Sequence, residues 1–128
     1  MPSFSKESKE RLATCDHRLQ ELMNDVIQHT DIKILCGHRG QADQDKACAA
    51  GNSKTPWPSS RHNCSPSQAV DVAPFPIDWN DLKRFKELGA LVKQRAAALG
   101  IAIEWGGDWT KFVDLPHYQL KEDRHGQY

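Results

Sequence analysis

An aspartate stands in the middle of a short apolar run, Ala69-Val70-Asp71-Val72-Ala73, which ends at Pro74. Apolar, β-branched residues before a proline predict a strand over 69–73. Such a strand belongs to a sheet with a packed face, where a carboxylate buried without a partner is costly. The fold must therefore bring a partner to Asp71. Before the strand, 52–67 (NSKTPWPSSRHNCSPS) reads as one long polar loop. Loops of that length in a compact domain carry function or are disordered.

Hydrophobic spacing predicts the other elements. Leu12, Cys15, Leu19, Leu22 and Val26 recur at three- and four-residue steps, with Met23 and Ile27 beside them. They make one helical face, with a break near Thr14–Asp16 left open. Ile32, Ile34 and Cys36 alternate against Lys33 and Leu35 as in a strand. An alanine-rich helix over 41–50 stops at Gly51. Asn80 is the expected N-cap of a long helix whose stripe is Leu82, Phe85, Leu88, Val92, Ala96 and Leu99, closed by Gly100. Strands follow at 101–105 and 117–120, joined by a glycine-opened loop, and 121–128 is expected to be a loosely ordered tail. The prediction is α+β: helices packed on a small, mainly antiparallel sheet in a single domain, residues 1–128.

Length and composition narrow the function. A chain of 128 residues supports one core. Lys plus Arg and Asp plus Glu both number 17, and no strongly basic block occurs, which argues against a nucleic-acid surface. No apolar run reaches the length of a membrane span. The N-terminus lacks the apolar segment of a secretory signal, so the chain is expected to stay in the cytoplasm when made. Cys15, Cys36, Cys48 and Cys64 are expected to be free thiols. Cys15–His17 and Cys36–His38 could be zinc half-sites, but their one-residue spacing is short for a finger.

His62, Asp71 and His117 fall on or beside predicted strands. Two imidazoles and a carboxylate are standard zinc donors, and three protein ligands leave a position open for water. A buried polar network accounts for the same residues, and spacing leaves both readings open. Asp114 lies three residues before His117, as a general base for water or as a turn aspartate. Trp105 and Trp109 flank Gly106-Gly107-Asp108, either lining a cleft for substrate or packing the core.

The segments SRHNCSPSQAVDVAPFPIDW and EWGGDWTKFVDLPHYQL resemble the zinc peptidases that include the L-alanyl-D-glutamate endopeptidases of bacteriophage endolysins and related D-alanyl-D-alanine carboxypeptidases. The resemblance extends through ILCGHRG and covers Ile32 to Leu120. The family's Ser-x-His, Ala-x-Asp and acid-x-x-His are matched by Ser60–His62, Ala69–Asp71 and Asp114–His117. One departure is Ser65, where the commonest version has glycine, with a longer step to the aspartate; it leaves Cys64 expected at the border of the site.

The resemblance implies one zinc ion per chain, at the sheet edge, on His62, Asp71 and His117, which gives Asp71 its partner. It also implies Asp114 as catalytic base, Arg39 as the cation facing the carbonyl oxygen, and Ser60 binding substrate or orienting the site. Asp108 is expected to shape the loop, and His38 and His125 to stand by. The implied activity is hydrolysis of the L-alanyl-D-glutamate bond in peptidoglycan stem peptides. D-alanyl-D-alanine carboxypeptidase activity and a non-catalytic, zinc-stabilised wall-binding module are the alternatives. A monomeric endolysin would wait in the host cytoplasm until a separate protein permeabilised the membrane, and then reach the periplasm and wall.

Overall fold

In the computed structural model, which describes residues 2–121, four strands form one antiparallel sheet in the order β1-β2-β4-β3. They are β1 (Ile32–Cys36), β2 (Ala69–Pro74), β3 (Ile103–Trp105) and β4 (His117–Leu120). Successive strand residues face opposite sides of a sheet. Val70 and Val72 are fully buried on one side, so Asp71 projects from the other. The packed side meets α2 (His17–Val26) and α4 (Leu82–Leu99). Leu19, Leu22, Met23 and Val26 join Val92 and Tyr118 in that core, all fully buried. Each buried leucine, methionine or valine of this kind contributes about 1.5–3 kcal/mol relative to exposure. Arg95 of α4 clamps Asp25 of α2 through two guanidinium contacts, at 2.6 and 3.0 Å.

The first helical face does break. It divides into α1 (Lys6–Leu12), capped by Ser5, and α2, where the Asp16 side chain accepts the Arg18 N–H. Between them, Cys15 forms a lone parallel bridge with Ser67. The Asp16 N–H donates to the Ser67 carbonyl at 2.8 Å, and the Ser67 N–H donates to the Thr14 carbonyl at 2.9 Å. The break therefore anchors the end of the long polar loop just before β2. Helix α3 (Gln41–Ala49) ends ahead of Gly51, whose φ of 79° is in the left-handed region that glycine adopts without strain.

Three boundaries differ from the sequence expectation. Helix α4 is capped by Asp81, not Asn80: the Asp81 carboxylate accepts the Arg84 N–H, while Asn80 folds back on Asp78. Strand β3 begins at Ile103 because the Ile101 N–H still donates to the Ala96 carbonyl, closing the end of α4 around Gly100. Strand β2 runs one residue further, pairing Pro74 with Ile32 at the end of the ladder. Of the predicted tail, 121–128, only Lys121 lies within the described residues, and its N–H donates to the Ala102 carbonyl.

Candidate metal centre

Strand register brings Cys36, Asp71 and His117 level with one another across three strands. Directly opposed residues share a face, so Asp71 and His117 meet on the side away from the core, where the β2–β4 ladder ends. His62 comes from the loop, in a 3-10 turn over Arg61–Asn63. Ser60 and Asn63 cap that turn reciprocally: the Ser60 hydroxyl accepts the His62 N–H, and the Asn63 side chain accepts the Ser60 N–H. The buried Arg61 guanidinium donates to the Leu120 carbonyl, tying the turn to β4. As a result, Asp71 Oδ1 lies 3.1 Å from His62 Nε2 and 3.2 Å from His117 Nδ1. One potential ligand atom from each of the three residues lies within 4.8 Å of the other two.

The outer ring nitrogens are also engaged. His62 Nδ1 is 2.7 Å from the Gly37 carbonyl, which can only accept, so this nitrogen carries hydrogen. His117 Nε2 is 2.8 Å from Gln119 Oε1, and Gln119 Nε2 donates to Glu104 at 3.0 Å. Outer partners of this kind fix the tautomer and orientation of metal-binding histidines. They leave His62 Nε2 and His117 Nδ1 to face Asp71, and two imidazole nitrogens with one carboxylate fit a zinc ion. Burial alone would lower the His62 pKa, but the Asp71 carboxylate and the Cys36 thiol together outweigh it and raise it to about 10. Burial opposes the charge on Asp71, yet His62 and His117 hold its carboxyl well below the usual range. Protons and a cation compete for these nitrogens, so loading a metal releases protons.

The triad opens onto a cleft of about 880 Å³ that Arg39, Asp114 and Trp109 also line. Arg39 Nη2 is 3.5 Å from Asp71 Oδ2, and Nη1 donates to Gln44 Oε1 at 3.0 Å. Gln44 is fully buried; it also accepts from Asn63 and donates to the Thr55 carbonyl. One amide thus ties the arginine, the His62 turn and the loop wall together. Burial raises the Asp114 pKa, the Asp71 charge adds to the rise, and His117, His62 and Arg39 partly oppose it. Asp114 is held against Gly106, where an added Cβ would lie 2.3 Å from the Asp114 carbonyl oxygen. Gly106→Ala is therefore expected to displace this loop and cost about 1–3 kcal/mol by overpacking. Thermal unfolding measures the loss, and an unchanged melting temperature would contradict this packing.

The profile of the phage L-alanyl-D-glutamate peptidase family matches residues 2–124. The chain belongs to this family. The L-alanyl-D-glutamate peptidase of Escherichia phage T5 is 32% identical over 123 residues, covering 92% of this chain and 88% of that protein. The crystal structure of the Serratia marcescens L-Ala D-Glu endopeptidase ChiX matches with a TM-score of 0.79 at 28% identity. That match covers 93% of this chain and 90% of the Serratia chain.

In this phage L-alanyl-D-glutamate peptidase family member, the other candidate residues divide between cleft and core. Trp109 lines the cleft with its ring centre 5.1 Å from that of His117. Trp105 is buried outside the cleft wall, stacked on Tyr118, and donates to the Leu115 carbonyl. Gly89 lets α4 approach that indole closely, since an added Cβ would lie 2.5 Å from it. Ser60 reaches the cleft, but its hydroxyl is already engaged in capping the His62 turn. Asp108 pairs with Lys93 at the surface, and the His38 N–H donates to Thr14.

Cys64 follows the 3-10 turn into the interior and is absent from the cleft wall; the thiol that lines it is Cys36. All four cysteines are free. Among the described residues, neither Cys15–His17 nor Cys36–His38 joins a metal-binding cluster, and His125 lies outside those residues. Reading missed Cys36, Gln44, Gln119 and Glu104 as parts of the site. Gln119 carried a signal, because two strand positions from His117 is the same face.

Proposed function

We propose that this chain hydrolyses the L-alanyl-D-glutamate bond of peptidoglycan stem peptides, using one zinc ion held by His62, Asp71 and His117. The observation that carries the reading is the gathering of these three donors at an open cleft, with Asp114 and Arg39 on its wall. Among the described residues no fourth His, Cys, Asp or Glu joins the cluster, which suits a catalytic site rather than a closed structural one. The activities named for the phage T5 and Serratia relatives support the choice of bond.

Zinc in such a site supplies Lewis acidity, which makes water nucleophilic near neutral pH. Asp114 takes a proton from water as its oxygen attacks the alanyl carbonyl carbon. The Arg39 guanidinium, steadied by Gln44, faces the negative charge that develops on the carbonyl oxygen. When the carbon–nitrogen bond breaks, Asp114 returns the proton to the departing glutamate amine. Ser60 keeps the His62 turn in place, and Trp109 walls the cleft beside His117. The active unit is a monomer acting in the wall or periplasm after a separate protein has opened the membrane. No helix among the described residues is long and apolar enough to cross a membrane.

Digestion of purified peptidoglycan, followed by mass spectrometry, tests the bond. Peptides with new N-terminal D-glutamate are expected, with L-alanine left on the sugar strand. Release of terminal D-alanine alone would assign a carboxypeptidase, and no cleavage with zinc supplied would favour a wall-binding module.

A further inference from the structure

The connection from β2 to α4 and the first residue of that helix expose three large apolar side chains, Phe75, Trp79 and Leu82. Trp79 differs from the other two because it also lines the cleft that holds the metal-binding triad. It is 56% exposed, yet its indole is stacked on the buried Phe85 ring, with centroids 5.4 Å apart and planes 21° apart. One face of the indole is fixed against α4, and the ring remains largely open to solvent. Clustered exposed apolar residues mark interaction sites more often than scattered ones do.

We propose that Trp79 is a stacking platform for the muramyl sugar of the glycan strand to which the stem peptide is attached. This inference rests on the proposed function. In that substrate, the residue before the scissile bond is carried by a lactyl group on the sugar. One residue spans about 3.3–3.6 Å, so a scissile carbonyl at the triad keeps the sugar close along the cleft. The C–H groups of a pyranose form an apolar face that fits flat on an indole, whose π-face is electron-rich.

From the segment between Phe75 and Leu82, only Trp79 lines the cleft. Asp78 accepts the Asn80 N–H, Asp81 accepts the Arg84 N–H, and the Arg84 guanidinium donates to the Pro76 carbonyl, so the charges beside Trp79 are engaged within the chain. What this wall offers a substrate is therefore the flat apolar indole, which suits a sugar face better than a charged peptide. Elsewhere, a second groove of about 470 Å³ shares Lys54, Thr55, Trp109 and Phe112 with the cleft and adds Lys111 and Asp108, the latter paired with Lys93, and it does not include Trp79. Lys54 lies over the Phe112 ring there at 5.7 Å. That cationic groove suits the carboxylate-bearing residues after the scissile bond.

The test compares two soluble substrates: a disaccharide-linked tetrapeptide, and the same tetrapeptide acetylated at its L-alanine nitrogen. Trp79→Ala should raise KM for the sugar-linked substrate roughly 2- to 10-fold, the range that one aromatic contact supplies. Its kcat/KM for the acetylated peptide should change far less, and Trp79→Phe should recover most of the sugar-linked activity. A rise of equal size on both substrates, or on neither, would overturn the inference while leaving the proposed bond in place. Wild-type enzyme cutting neither substrate would overturn the proposed function and this inference with it.

Discussion

His117→Ala is expected to lose bound metal and hydrolysis together. In the proposed site His117 would supply one of the three donor atoms, and its outer nitrogen is held by Gln119, itself held by Glu104. Loss of an outer partner alone typically weakens metal binding or activity by about 10–100-fold, and loss of a ligand should exceed that. The fold should survive, because His117 lies on the face away from the core formed by Val70, Val72 and Tyr118. His62→Ala and Asp71→Ala should behave alike, leaving two donors each. Metal analysis beside thermal unfolding separates ligand loss from unfolding. Stoichiometric zinc retained by all three folded variants would contradict the ligand assignment.

Asp114→Asn should have nearly as large an effect on rate, with a different signature. Asparagine keeps the size and the backbone contacts with Gly106 and His117, but it cannot accept a proton at neutral pH. The three proposed metal donors are untouched, so zinc content should stay near that of the wild type. Loss of general-base help costs about 10²–10⁴ in rate, roughly 3–5 kcal/mol of transition-state stabilisation. The loss should appear in kcat on soluble muropeptides. An Asp114→Asn enzyme with near-normal kcat across neutral pH would assign the proton transfer to another group.

The parts of the fold set by local chemistry could be read directly. The stripe of α4 from Phe85 to Ala96, its stop at Gly100 and the break before α2 follow from side-chain spacing and capping within a few residues, whereas Leu82, expected in that stripe, opens the helix exposed. Asp71 could be recognised as a residue in need of a partner because its strand neighbours are apolar. Where two local signals compete, geometry decided: Asn80 and Asp81 are both good caps, and only Asp81 reaches the Arg84 N–H. The supporting residues of the site were hidden for a different reason. Gln44 lies in a helix with no apolar stripe, and its value comes from meeting Arg39, Asn63 and Thr55 in space. Cys36, and not the expected Cys64, borders the site because strand register, which brings Cys36 level with Asp71, is invisible in either segment alone. Trp105 and Trp109 are four residues apart, and the short 3-10 turn between them sends one to the core and the other to the cleft.

The peptidoglycan digest that assigns the bond also tests the metal when it is run on stripped enzyme with zinc added back. The account predicts no new N-terminal D-glutamate from the stripped chain, and product formation that rises with added zinc and levels off at one equivalent per chain. Full release of the same peptides by the stripped chain in the presence of a chelator would contradict it.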